Sequence, residues 1–194
     1  GRAGAAAVLI EDKVTPRALT SAGKPTISRD EARMKVRAAV EAAKESGVLV
    51  LARTDCRPTL GIDEAVARIE MYVEEGADIL FLDSPADRDE MTRATAAAAG
   101  KPSFIVLSPG STSLPTRAEA AELGFKIGTY PAATLSSVVG AIGQGLAAIQ
   151  AEDAAAAPAT MRPRDLYRVL GYEDYEATAN RFAITSSDPA DRSG

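Results

Sequence analysis

Short apolar runs that end in charge alternate along this chain with longer stretches of helical spacing. Val8 to Ile10 runs into Glu11 and Asp12, Val48 to Leu51 into Arg53, Thr54 and Asp55, and Ile79 to Leu82 into Asp83. Brief apolar runs bounded by turn residues read as buried strands, so the pattern predicts strands over 3–10, 48–53, 78–83, 103–107 and 125–129. Between them Val36, Ala39, Val40 and Ala43 recur at helical spacing, with Ser28 and Glu31 as a capping box and Gly47 as the stop. Ala65, Ile69, Tyr72 and Val73 form the stripe of a second helix, 63–75, closed by Gly76. Asp87 and Glu90 are read as the capping box of a helix over 88–99, and Thr116 with Glu119 caps a short helix ended by Gly124. A helix over 132–150, an Ala-rich linker at 151–158, a helix from Pro163 through Leu170 and another over 172–182 complete the pattern, with a frayed tail beyond.

Strands that alternate with helices imply parallel pairing and right-handed crossovers. Two architectures satisfy that: an open doubly wound sheet of five strands, or part of a barrel of alternating strands and helices. No Gly-x-Gly-x-x-Gly turn follows a strand, which removes support for dinucleotide binding. Gly140, Gly143 and Gly145 sit inside an apolar helical pattern and fit close packing rather than a phosphate cradle. In a barrel, the charged C-terminal strand ends are where catalytic groups gather.

Composition narrows the chemistry. The 194 residues are 46% hydrophobic with no Trp and 5% aromatics, so one domain with an aliphatic core is expected. A formal charge of -5 argues against nucleic acid. No apolar run approaching the roughly 20 residues of a membrane span is read, no signal peptide is read, and the absence of an initiator Met leaves the true start out of view. The single Cys56 fits a reducing, cytoplasmic compartment and is read as a packed thiol. With no His, a Ser-His-Asp or Cys-His triad and a Cys/His zinc site are excluded within these residues. What remains is carboxylates, Arg, Lys, hydroxyls and a hard, oxygen-preferring cation.

Of the adjacent Glu11 and Asp12, at most one faces inward, since neighbouring strand residues point to opposite faces. Arg53 and Asp55 share a face, and an inward Arg needs an anion, either Asp55, another acid or a substrate carboxylate. Asp83 alone reads equally as a turn residue or a ligand. Acid, arginine and acid at three successive strand ends together suit an arginine holding a carboxylate beside acids that hold a hydrated divalent cation, an arrangement that stabilises an enolate.

The same residues carry a resemblance. GAAAVLIEDK (4–13), KVRAAV (35–40), ARTD (52–55), GIDEA (61–65) and EGADILF (75–81) resemble the isocitrate lyase/phosphoenolpyruvate mutase superfamily, in order and spacing, over roughly residues 3–150. The resemblance implies an α/β fold, a (β/α)8 TIM barrel of which about strands 4–8 and C-terminal helices are present. Residues 1–150 would be the partial barrel, 151–182 the linker and C-terminal helices, one of them a candidate for swapping between subunits, and 183–194 a flexible tail. It implies Mg2+, with Mn2+ as the alternative, and a lyase or phosphonomutase that makes or breaks a C–C or P–C bond in a small 2-oxo or 2-hydroxy acid. It also implies a homo-oligomer, dimer or tetramer, with neither nucleic acid nor membrane as partner. By position Glu11 would hold metal-bound water, Arg53 would clamp the substrate carboxylate, and Asp83 would orient the reacting group. Arg17 and Lys24, in a loop over the site, would meet substrate charge.

The sequence departs from that pattern in three places. It begins at what would be strand four, so the metal-binding aspartates of strand three are expected outside it. Where lyases of the family carry Lys-Arg-Cys-Gly-His, this chain has PRALTSAGK (16–24), with Ala18 or Leu19 for the Cys and Thr20 or Ser21 for the His. Val106 stands where lyases have Asn, closer to the mutase pattern. Two other readings follow: a non-catalytic paralogue kept as a binding or structural subunit, and a Schiff-base aldolase using Lys126.

Overall fold

The structure is a computed structural model that describes residues 3–16, 25–108, 114–158 and 161–183. Five strands, β1 (Ala7–Glu11), β2 (Leu49–Thr54), β3 (Ile79–Leu82), β4 (Ser103–Val106) and β5 (Phe125–Thr129), form one sheet in the order β1-β2-β3-β4-β5. Every pairing is parallel. A doubly wound sheet reverses its strand order at a switch point. Here each strand is added beside its predecessor without reversal, as in an arc of a (β/α) barrel.

Between the strands lie α1 (Arg29–Lys44), the short α2 (Arg57–Leu60), α3 (Ile62–Glu74), α4 (Arg88–Ala97) and α5 (Arg117–Glu122). Strands covered on both faces read as continuous apolar runs rather than alternating ones. Accordingly all of β3 is buried. One face packs on the helices: Ala52, Leu80 and Leu82 meet Ala32, Val36, Ala65, Ile69 and Tyr72. On the opposite face Leu51, Ile79 and Phe81 pack with Phe104, Val106 and Ile127. Each large apolar side chain fully buried this way contributes about 1.5–3 kcal/mol.

Helix boundaries follow local chemistry. Ser28 caps α1 by accepting from Glu31 N, and Asp87 caps α4 by accepting from Glu90 N. Among the described residues the reciprocal capping box closes at Thr116 and Glu119; Glu90 instead takes Ala86 N and Arg57, a correction to its reading as a box. Gly76 follows α3 at φ +93, where a Cβ would meet Val40 Cγ1 at 3.3 Å, so only glycine turns the chain into β3 without strain. The strand read over 3–10 is shorter and later, Ala7–Glu11, because its pairing begins only where Ala7 meets Leu49.

The chain divides into two compact units, Gly1–Thr134 and Leu135–Gly194. The second holds nearly all of α6 (Ala133–Gln150), then a 3-10 turn (Ala154–Ala156), α7 (Pro163–Val169) and α8 (Tyr172–Arg181). The turn lies inside the stretch read as linker, where Asp153 caps Ala155 N at 3.0 Å. Pro163 opens α7, and Tyr167, Tyr172 and Tyr175 stack in sequence with ring centroids 5.4 and 5.7 Å apart. α6 has 18 residues, a mean hydropathy of 1.2 and no charged side chain, so by length and composition it reaches the dimensions of a membrane span. That corrects the expectation that no apolar run comes near one. A single helix of this composition equally fits one that packs on protein.

Candidate functional site at the strand ends

The register sets Glu11 opposite Arg53, and Arg53 opposite Phe81, so three neighbouring strands deliver their ends to one place. Period two along β2 puts Arg53 on the face of Leu51, away from the helices. There Arg53 Nε and Nη2 each lie 2.7 Å from an oxygen of Asp55. Nη2 also lies 3.0 Å from Asp83 Oδ1, and Nε 3.6 Å from Glu11 Oε2. The guanidinium stands 4.9 Å over the Phe81 ring. Glu11, Arg53 and Asp83, chosen from sequence, are thus brought together. Arg17 and Lys24 lie outside the described residues.

Burial alone would weaken the charge on Arg53, but Asp55, Asp83 and Glu11 outweigh it and raise its pKa above the ordinary value. Asp55 is the mirror case: burial pushes its carboxyl up, while Arg53 and Lys13 hold it below the usual range. Ser84 donates to Asp83 Oδ2 at 2.7 Å and sits at φ +56, the left-handed region that non-glycine residues seldom occupy. A cavity of about 130 Å³ opens beside it, lined by Phe81, Asp83, Ser84, Pro85, Val106 and Leu114 among others.

Sequence reasoning missed Lys13. The sequence reads as a polar loop from Lys13 to Ile27, yet Lys13 is buried with Nζ 3.2 Å from Asp55 Oδ1, and an antiparallel bridge to Thr26 fixes its backbone. Continuing the alternation from Leu9 through Glu11 would have found it. With it, three carboxylates face two cations, leaving one formal negative charge among the described groups. Asp12 points the other way, as adjacent strand residues must, and is buried against Arg68 under the helices.

A Mg2+ ion takes six oxygen ligands in near-octahedral geometry. Among the described residues no group of three or more His, Cys, Asp or Glu side chains converges to hold a metal. The inward acids turn to Arg53 and Lys13 instead, so these residues do not by themselves fit a Mg2+ site. Glu11, 37% exposed at its side chain, could supply one oxygen. Lys126 is exposed on β5, and the described contacts do not bring it to the Arg53 group, so the aldolase reading gains nothing. Cys56 is fully buried and burial raises its thiol pKa, which fits the reading of a packed, unreactive side chain.

Comparison with known proteins bears on the same region. Residues 1–150 match the phosphoenolpyruvate phosphomutase family profile. The 2,3-dimethylmalate lyase of Eubacterium barkeri is 37% identical over 135 residues, 69% of this chain and 47% of that protein. The oxaloacetate decarboxylase of Paraburkholderia xenovorans is 47% identical over 91 residues, 46% of this chain and 30% of that protein. The structure of oxaloacetate acetylhydrolase with its product oxalate superposes with a TM-score of 0.75 at 30% identity, covering 92% of this chain and 62% of that one. The chain spans about half or less of the length of these two curated relatives.

Proposed function

We propose that this chain, which belongs to the phosphoenolpyruvate phosphomutase family of the isocitrate lyase/PEP mutase superfamily, supplies the carboxylate-binding half of an enzyme site. The enzyme would make or break a bond next to the carboxylate of a small 2-oxo or 2-hydroxy acid, through an enolate-like species. The matching family profile is named for a phosphomutase and the curated relatives for a lyase and a decarboxylase, which supports that reaction class.

One observation carries the reading. Arg53 is held by Nε and Nη2 on its own acids, while among the described residues Nη1 has no hydrogen-bond acceptor. A guanidinium anchored through Nε and Nη2 holds its Nη1 donors in a fixed direction toward a carboxylate, a preorganised clamp. Asp55 and Lys13 fix its direction, and the Phe81 ring supports its face. Asp83, 3.0 Å from Nη2, would sit beside the reacting carbon and accept a hydrogen bond or proton there. The family's divalent ion, when bound, would offset developing enolate charge, and the described residues do not by themselves form its site. A cytoplasmic protein assembled as a dimer or tetramer belongs to the same proposal.

A second reading, a binding or structural subunit without turnover, is favoured by two features. Ala18 or Leu19 stands where the family lyases have Cys. The Arg53 cluster is also largely satisfied by its own acids. Calorimetric titration of the full-length protein with oxalate, followed by oxaloacetate turnover with and without Mg2+, separates the two. Oxalate binding with turnover supports the enzyme. Binding without turnover supports the subunit, and no binding at all sinks the carboxylate clamp.

A further inference from the structure

Beneath the clamp lies a second buried ion pair that the proposed chemistry does not use. The Asp12 carboxylate, 1% exposed, accepts four hydrogen bonds: Thr54 Oγ1 at 2.7 Å, Asp55 N at 2.8 Å, Arg68 Nη1 at 2.9 Å and Tyr72 OH at 3.2 Å. Arg68, 2% exposed, spends its other donors on Glu64 Oε1 at 2.8 Å and on the backbone oxygen of Ile27 at 3.0 Å. Ile27 N in turn donates to the backbone oxygen of Asp12 at 2.9 Å. Its neighbour Thr26 bridges to Lys13, whose ammonium meets Asp55 from the opposite side.

Two segments far apart in sequence therefore share one joint. The end of β2, which carries Arg53 and Asp55, hangs on the Asp12 carboxylate. The segment returning at Pro25–Ile27 hangs on Arg68 and on the Asp12 backbone. A core of aliphatic residues needs no buried charge here, and an isosteric apolar pair would often be as stable. A fully satisfied polar network instead fixes one arrangement of what it touches.

We infer that Asp12 and Arg68 are positioning residues: through Asp55 they set the direction of the Arg53 guanidinium, and through Ile27 they register the returning segment against it. This rests on the carboxylate-clamp reading for its purpose, while the mechanical coupling stands on the hydrogen bonds alone. The network predicts that loosening Arg68 is felt at Asp55, which Arg68 does not touch, because the two share only Asp12.

Amide hydrogen exchange on the full-length protein tests this, using Arg68→Met and, should that variant fail to fold, the paired Asp12→Asn/Arg68→Met, which leaves no buried charge orphaned. The expected result is faster exchange at both Ile27 and Asp55, by about tenfold or more for loss of a charge-assisted bond. The Leu80 amide, bonded to the Pro102 oxygen at 3.0 Å within the sheet, should be unchanged. Oxalate affinity should fall with the Asp55 change, and Tyr72→Phe, which removes one bond and leaves both segments attached, should keep wild-type affinity. Unchanged exchange at Asp55 overturns the inference. A uniform rise that includes Leu80 also overturns it, since that marks general loss of stability. Wild-type protein that fails to bind oxalate would sink the clamp reading, while the exchange rates at Ile27 and Asp55 would still decide whether the joint exists.

Discussion

Arg53 lies edge-on to Asp55, two residues along the same strand end, with both of its Nε and Nη2 contacts at 2.7 Å. A pair at this spacing shares one face of an extended chain, so the geometry follows from the backbone and needs no loop to assemble it. Its consequence is that the clamp is pointed before any ligand arrives.

Acid should unfold the protein only well below neutrality. Burial would raise the Glu90 carboxyl, but Arg57, at 2.8 and 2.9 Å, and Ala86 N hold it below its ordinary value, and Asp55 is lowered against its own burial by Arg53 and Lys13. A carboxyl whose folded pKa is depressed stabilises the fold above its unfolded value and loses that contribution as pH falls through the folded value. Stability read by circular dichroism should therefore begin to fall below about pH 4. Arg57→Gln leaves burial to dominate at Glu90, so its acid midpoint should move to higher pH.

Cys56 should be silent. Native protein at pH 8 is expected to leave a thiol reagent unconsumed, and to consume one equivalent once unfolded in guanidinium. Cys56→Ala should retain oxalate affinity. Rapid labelling of the native protein would contradict the packed-thiol assignment.

Gly76→Ala is expected to destabilise the protein by about 1–2 kcal/mol, the cost of placing a Cβ in the left-handed region, with Val40 Cγ1 adding a close contact at 3.3 Å. Thermal unfolding measures it. Gly171→Ala, in the left-handed region at φ +74 with nothing within 4 Å of the added Cβ, is the control for strain without contact, and should cost less.

Much of this was legible in the sequence because it is local. Four of the five strands appeared as apolar runs, β5 (Phe-Lys-Ile-Gly-Thr) being the exception, and Glu11, Arg53 and Asp83 stood out as charges at strand ends. Parallel pairing in chain order then brought the three together. Lys13 is hidden because the apolar run ends at Ile10, and only the inward alternation carried past Glu11 reaches it. Arg68 was missed for another reason. It falls beside the apolar stripe of Ala65, Ile69 and Tyr72, where a charged residue is ordinarily solvated, and only contacts from Asp12 and Ile27, far away in sequence, make its burial favourable. The short α2 escaped because four residues carry no period to read.

The central claim is that Arg53 offers fixed Nη1 donors to a substrate carboxylate. Arg53→Gln keeps some hydrogen bonding to Asp55 and Asp83 and removes the charge. Calorimetric titration with oxalate, on variant and wild-type protein matched in circular dichroism and melting temperature, tests it directly. The expected result is tight binding by wild type and a loss of about 100-fold in the variant, the size expected for a charge-assisted contact. Equal affinities would contradict the account.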